Sequence, residues 1–458
     1  MDRFTQLSQD ARVTIRRAGT PGTEGACVVY WMQRAQRGVD NPALDTAVAA
    51  ANELTKPVVV FFAPVPFYPH ANLRHYRFLN QGIPDIAGAL AQRGIGFVLR
   101  RFPNHSLARF CEEVKPALVI GDENPMREPE AWRKAAARKL TIPFWTVDAD
   151  VIVPGKLLEK AQYSAHIARP RLQAHLKQFL SAPENLKAHV AWDRQIASLD
   201  PSTDVTEGWP LDRSVSPVSQ WRGGSTEALR LLNEFIQHKL HGYGIQRNKP
   251  EIEHTSRLSP YLHFGHISPV TVALAVRSAT APKPDKEAFL NQIITWRELS
   301  VNLVRFNQNY DNFECAEPWA HRTLAAHARD SRPVLYSEKQ LEYAETHDQL
   351  WNAAQMQMVN TGWMHNYVRM YWGKKILEWS KSPAEAHRVA VHLNDKYELD
   401  GRDPNGYSGI AWAIVGKFDR PWFERPISGQ IRYMSGESTG RKFNTKLYIG
   451  HNLSPKLF

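Results

Sequence analysis

"PVVVFFAP", residues 57–64, sets an unbroken run of β-branched and aromatic side chains between two prolines. A strand with one wet face alternates apolar and polar residues. A run without alternation reads as a strand covered on both faces, as in a parallel sheet. Four further runs share this character: "ACVVYW" (26–31), "IGFVLR" (95–100), "ALVIGD" (117–122) and "IPFWTVD" (142–148). Residues 42–54, 72–92 and 126–139 between them read as helices, so the first third is α/β, parallel-sheet and Rossmann-like. No GxGxxG follows the first strand, so dinucleotide binding is not indicated there. Any ligand of this half belongs beyond the carboxyl ends of the strands.

Further along the pattern changes. "ARPRLQAHLKQFL" (168–180) reads as a helix, whereas "SLDPSTDVTEGWPLDRSVSPVSQW" (198–221) is rich in Pro, Ser and Asp and reads as a linker. From about residue 221 the strand signal fades. Helical periodicity dominates "TEALRLLNEFIQHKL", "SPVTVALAVRSAT", "EAFLNQIITWRELSVNLVRF" and the 351–380 region. The expected organisation is an α/β domain over 1–150, a linker over 151–220 and an all-α domain over 221–458.

The chain of 458 residues carries 57 Lys+Arg against 46 Asp+Glu, a net charge of +11. That excess favours a polyanionic partner, nucleic acid first. Cys27, Cys111 and Cys315 are far apart and form no CxxC, which points to a reduced, intracellular protein. No apolar run reaches the length of a membrane span and the N-terminus lacks a signal-peptide core, so a cytoplasmic protein is expected. "HFGH" (263–266) has no carboxylate or cysteine to complete a metal set, and no nucleophile-elbow motif supports hydrolysis.

Three stretches of the helical half carry chemistry. "TSRLSPYLHFGHIS" (255–268) puts the hydroxyls of Thr255, Ser256 and Ser259 ahead of an apolar helix. Such a cluster is either an N-cap device or an anion site, since free N–H groups and hydroxyls at a helix start attract phosphate. "TGWMHNYVRM" (361–370) and "LNDKYELDGRDPNGYSGIAWAI" (393–414) add an Arg, Asn and several Asp suited to a flat polar ring edge. "NTGWMHNYVRMYWGKKILEW" (360–379) adds a dense set of aromatic rings, which on pattern alone reads as helix core. Trp372 and Trp379, seven residues apart, lie on one face of one helix.

Together these stretches resemble the photolyase/cryptochrome flavoproteins. The run "DGRDPNGYSGIAWAIVGKFDRPWFERPISGQIRYMS" (400–435) is similar to the class II cyclobutane-pyrimidine-dimer photolyases. The resemblance covers essentially the whole chain and is most specific over 243–450. It implies an α/β antenna-type domain followed by a helical FAD-binding catalytic domain. It also implies an enzyme, a deoxyribodipyrimidine photo-lyase. Photoexcited reduced FAD would pass an electron to a flipped-out dimer in double-stranded DNA, split the cyclobutane and take the electron back.

Residue by residue, Tyr243, Thr255, Ser256, Leu258 and Ser259 match positions that hold the FAD phosphate region. Trp363 matches a flavin-pocket residue. Arg369 and Asp400 match an ion pair beside the isoalloxazine, and Asn394 matches the asparagine facing flavin N5. On the residues alone, Asn394 reads as a satisfied helix-end Asn. Trp351, Trp372 and Trp379 match the tryptophan chain that charges the flavin, with Trp351 between the other two. Trp296 and Trp412 match the aromatic pair that packs on the lesion, with Asn366 and Met370 nearby. Arg247 matches a lesion- or phosphate-contacting residue. Arg420 and Trp422 match residues that enter the hole left in the duplex. Arg441 and Lys442 would supply phosphate contacts.

One position departs from the pattern. Gln292 stands where dimer photolyases carry a Glu that bonds the pyrimidine carbonyl; it donates through its amide but has no carboxylic proton. A Gln here also occurs in (6-4) photolyases, yet their histidine is replaced by Asn366. Altered lesion preference is therefore one alternative, and a cryptochrome-like blue-light photoreceptor is the other. The resemblance further implies a monomer with FAD and allows a second antenna chromophore, deazaflavin or folate. It implies no metal and no membrane partner.

Overall fold

The computed structural model describes residues 3–453. They divide into two compact units. The first comprises Met1–Glu159, Leu172–Asn233 and Leu258–Ser278; the second comprises Lys160–Arg171, Glu234–Arg257 and Ala279–Phe458.

The first unit is built on one six-stranded sheet: β1 (Val13–Arg17), β2 (Cys27–Met32), β3 (Val58–Phe62), β4 (Gly96–Leu99), β5 (Pro116–Asp122) and β6 (Phe144–Val147). The order is β1-β6-β5-β2-β3-β4, parallel except for β1, which pairs antiparallel with β6. The unbroken apolar runs are explained by two cores. Val58 and Val60 of β3 face one with Val28 and Tyr30; Val59 and Phe61 face the other with Cys27 and Val29. Each side of the pleat is thus covered, and there is no wet face to demand polar residues.

Strand order reverses between β2 and β5, where open sheets place ligands. Here Asp122, ending β5, accepts the backbone N–H groups of Gln33, Arg34 and Ala35 at 2.8, 2.7 and 3.0 Å. It also accepts from the Tyr30 hydroxyl at 2.7 Å. The turn after β2 is therefore fastened by the chain's own carboxylate, and its amides are already bonded.

The second unit is helical; beyond Val147 the only β pairing among the described residues is an isolated bridge, Arg425 with Gly429. Four helices position the site: Gln349–Thr361, Asn366–Trp379, Pro383–Tyr397 and Pro404–Val415. Each start has a side-chain cap, from Asp348, His365, Ser382 and Asp403 respectively. Gly362, at φ +68°, ends the first helix and turns the chain into the second. Gly373 lets that second helix approach the last closely, because a Cβ there would sit 2.7 Å from the Cβ of Ala413.

Candidate functional site

The 363–372 and 394–402 stretches meet around one half-buried cation, Arg369. The peptide N–H of Leu399 bonds the carbonyl of Gly362 at 2.8 Å, holding the loop after the Pro383–Tyr397 helix against the break between the first two helices. Arg369 then lies 3.2 Å from Asp400 and 3.0 Å from Glu398. Burial would lower the guanidinium pKa, but Asp400 and then Glu398 outweigh it and the shift is upward. Its Nε is buried without a hydrogen-bond partner. The sequence reading paired Arg369 with Asp400 alone. Glu398, fully buried at 0% exposure, makes the cluster one cation and two carboxylates. The acidic run "YELDGRD" signals several carboxylates, but only the turn geometry selects Glu398 and Asp400 together.

Asn394 is buried one helical turn earlier and donates to Asp395 at 2.9 Å. Asp395 in turn accepts from the Arg402 amide at 2.8 Å and from the Tyr407 hydroxyl at 2.9 Å. Asn394 is thereby oriented from behind, and Gly406 leaves space against its amide, since a Cβ there would lie 3.1 Å from Nδ2.

Donors without partners gather near this cluster. His365 accepts from the Tyr367 amide through Nδ1, so its proton sits on Nε2, which is buried with no acceptor. Burial, followed by Arg247, Arg369 and Arg257, depresses its pKa to about 3, so it remains a neutral N–H donor. Thr255 Oγ1 is likewise buried and without a partner. Arg257 lies over the Trp363 ring at 5.2 Å, and Arg247 lies over Tyr243 at 5.7 Å. The loop carrying Thr255 is curled by left-handed backbone at Glu253 and Arg257, φ +47° and +53°. Ser256 lies in the same loop. Arg257, Arg369 and two orphaned donors suit an anionic ligand with a polar ring, as FAD is. The helix that follows is only Ser259–His263, and its Leu258 cap makes no side-chain bond. Leu258 and Ser259 belong to the first unit, Tyr243, Thr255 and Ser256 to the second.

The three tryptophans form a contiguous row. Trp351 stacks on Trp372 at 6.4 Å between ring centroids with planes 7° apart, and meets Trp379 edge-on at 5.6 Å. Trp351 therefore lies between residues that precede and follow each other on a different helix. Its indole N–H bonds the Trp372 carbonyl at 3.0 Å, and that of Trp372 bonds Gln355 at 2.8 Å. Trp372 is three residues, one helical turn, from Arg369. Trp379 is itself buried at 3% exposure, with Tyr336 and exposed His347 as its outer neighbours at 5.4 and 5.3 Å.

A second aromatic group joins Trp412 to Trp422 through alternating cations. Lys374 Nζ lies 4.4 Å from the Trp412 ring centroid. The guanidinium of exposed Arg432 lies 5.9 Å from Trp412 and 4.6 Å from Trp422, and Arg420 lies 5.5 Å over Trp422. Burial lowers the Lys374 pKa to about 7, against a raising influence of Asp419. Neither Lys374 nor Arg432 stands out in the sequence, where they are ordinary surface-type cations. Asn366 and Met370 are one turn apart on the Asn366–Trp379 helix, the former exposed. Gln292 and Trp296 share a π-helical turn, Asn291–Trp296, inside a longer helical run. Such turns re-aim side chains and are frequent at functional sites. Arg441 is exposed and pairs with Glu437; Lys442 beside it is exposed.

This fold is the photolyase/cryptochrome class. A bacterial class III photolyase from Agrobacterium tumefaciens superposes with a TM-score of 0.71 at 20% identity, covering 94% of this chain and 87% of that one. In sequence, residues 28–189 match the DNA photolyase family model. The deoxyribodipyrimidine photo-lyase of Methanothermobacter thermautotrophicus is 41% identical, covering 94% of this chain and 95% of that protein. The enzyme of the same name from Potorous tridactylus is 39% identical over 91% of this chain and 79% of its own length. The chain belongs to the DNA photolyase family, flavoprotein lyases of DNA repair.

Proposed function

We propose that this chain is a light-driven lyase that repairs cyclobutane pyrimidine dimers in double-stranded DNA, with FAD as its cofactor and class II relatives. The observation that carries the reading is the tryptophan row ending one helical turn from the Arg369–Asp400–Glu398 cluster. Trp379, Trp351 and Trp372 stand within 6.4 Å of their neighbours, ring to ring. A packed core alone does not require the row to end beside a charged cluster.

Tyr243, Thr255, Ser256, Trp363, Arg369, Asn394 and Asp400 would hold FAD, which when bound and reduced supplies the light-excited electron for dimer cleavage. Arg369 would keep positive charge beside the bound flavin, and Asp400 and Glu398 would offset that charge. Asn394, fixed by Asp395, offers a neutral amide that neither gives nor takes a proton at neutral pH. Trp379, Trp351 and Trp372 would supply the route by which electrons reach the cofactor. Trp296 and Trp412 pack on the flipped lesion, with Gln292, Asn366 and Met370 around it. A damaged step unstacks at low cost, and photolyases are among the base-flipping enzymes. Arg420 and Trp422 fill the space left in the duplex, while Arg247, Arg441 and Lys442 contact phosphate.

The absorption spectrum of the purified protein tests the cofactor assignment. A flavin spectrum that bleaches under blue light with an external reductant is expected, and any antenna chromophore adds a separate band. A colourless protein that cannot be reconstituted with FAD overturns the reading.

A further inference from the structure

The segment from Asp419 to Ile431, which carries Arg420 and Trp422, is anchored at one end by buried Ile427 and Ile431 and leaves its outer part exposed. Phe423 within it is 87% exposed. It folds back on itself through Trp422 N–H to the Gln430 carbonyl at 2.9 Å and a two-bond bridge between Arg425 and Gly429 at 3.0 and 2.9 Å. Ile427, at its tip, sits at φ +67°, a left-handed conformation that is strained for a branched residue and persists only when held.

What holds it is the end of the helix Pro318–Ala326 and the turn after it. Thr323 Oγ1 accepts the Gln430 amide at 3.0 Å, and Asp330 accepts the Ile427 amide at 2.8 Å. Between them His327 spans two carboxylates, with Nδ1 2.6 Å from Asp330 and Nε2 2.9 Å from Glu424. Ionised carboxylates only accept hydrogen bonds. Both contacts are hydrogen bonds at once only when both ring nitrogens donate, that is, when the ring is an imidazolium. The Ile427 amide and His327 keep the Asp330 pKa low, so that carboxylate is ionised. Arg332 is the other charged group acting on Asp330. The bonds to Glu424 and Asp330 raise the His327 pKa above its ordinary 6.5 despite burial.

We propose that His327, protonated between Asp330 and Glu424, is a clamp that positions the Arg420–Trp422 segment, so that recognition of damaged duplex weakens when the ring loses its proton. The proposal rests on the reading that this segment engages DNA. Neutral imidazole can donate to one carboxylate only, and its bare nitrogen then faces the lone pairs of the other. The folded pKa is raised, so the clamp is fully present below the ordinary value of 6.5 and is lost as pH rises through the higher folded value. His327 is a positioning residue, acting through Asp330 and Glu424.

Two measurements on the full-length holoprotein test it. The first follows the His327 ring proton by NMR against pH, in the parent and in Glu424→Gln. A pKa above the ordinary histidine value that falls in Glu424→Gln is expected; an ordinary or lower value, or one indifferent to Glu424→Gln, overturns the clamp. The second compares binding of dimer-containing and undamaged duplex at fixed salt across the same pH range. Losing one charge-assisted bond should weaken damaged duplex roughly ten-fold at high pH, with a smaller change for undamaged duplex. His327→Gln should bind at the high-pH level throughout, while His327→Arg should keep tight binding without the pH step. A raised, Glu424-dependent pKa with no pH step in damage recognition leaves the clamp standing but removes this segment from the DNA contact. That outcome separates failure of the underlying reading from failure of the clamp.

Discussion

The indole of Trp351 stacks on Trp372 with the ring planes 7° apart and touches Trp379 edge-on, although the latter two sit on a different helix. Any electron moving between the ends of the row in short hops passes through Trp351. Trp351→Phe should stop photoreduction of oxidised flavin while leaving repair by chemically reduced protein nearly unchanged. Loss of its buried hydrogen bond to the Trp372 carbonyl should cost about 1 kcal/mol of stability. Flash photolysis of the variant checks this; an undiminished rate of photoreduction would mean that another route carries the electrons.

Arg369 is the cation shared by Asp400 and Glu398. Removing one partner of a buried ion pair costs about 3–5 kcal/mol, because the opposite charge stays buried. Arg369→Ala should therefore lower stability by that order and release FAD. Glu398→Gln, which keeps the Asp400 pair, should retain FAD but shift its midpoint potential upward as negative charge leaves the site. Equilibrium dialysis and a redox titration read the two effects. Unchanged FAD affinity in Arg369→Ala would dissociate the cluster from the cofactor.

Lys374 gives stability a pH dependence whose sign is fixed. Its pKa falls from 10.5 unfolded to about 7 folded through burial, so between those values the unfolded chain binds the extra proton. Stability therefore rises with pH across that window. Lys374→Met should flatten the rise and should be relatively more stable than the parent at the acid end. Urea unfolding at several pH values makes the comparison, and parallel pH profiles would contradict the burial argument.

Trp412→Ala should weaken binding of dimer-containing duplex by about 1–3 kcal/mol, the usual worth of a stacking contact, and leave undamaged duplex almost unaffected. Arg441→Ala should weaken both duplexes and shallow the salt dependence, as loss of a phosphate contact does. Salt-titrated binding to matched duplexes distinguishes the two. Equal losses on both duplexes for Trp412→Ala would remove that residue from lesion recognition.

The strands of the first unit were legible because being covered on both faces leaves an unmistakable pattern. "PVVVFFAP" contains β3, Val58–Phe62, with nothing polar inside it. The antiparallel strand Val13–Arg17 gives no such signal, since "VTIRR" is short, half-polar and at the sheet edge. Helix Leu107–Val114 is equally hard to read, because eight residues give periodicity little room. Gly362, the left-handed turn that ends one helix and starts the next, is the point around which the site is built. What pattern could not supply was company across the chain. Glu398 beside Arg369, Arg432 between two indoles and His327 between two acids are contacts between segments far apart in sequence or set by turn geometry. No local period encodes them.

The central claim is tested most directly by illuminating the FAD-reduced protein with blue light on a duplex carrying a single cyclobutane pyrimidine dimer, with a dark control and a matched (6-4) duplex. Gln292 in place of the usual acid makes the lesion comparison informative. The account predicts restoration of the two pyrimidines in the light, none in the dark, and no repair of the (6-4) lesion. Flavin-replete protein that binds the dimer duplex but leaves it intact under light would contradict it.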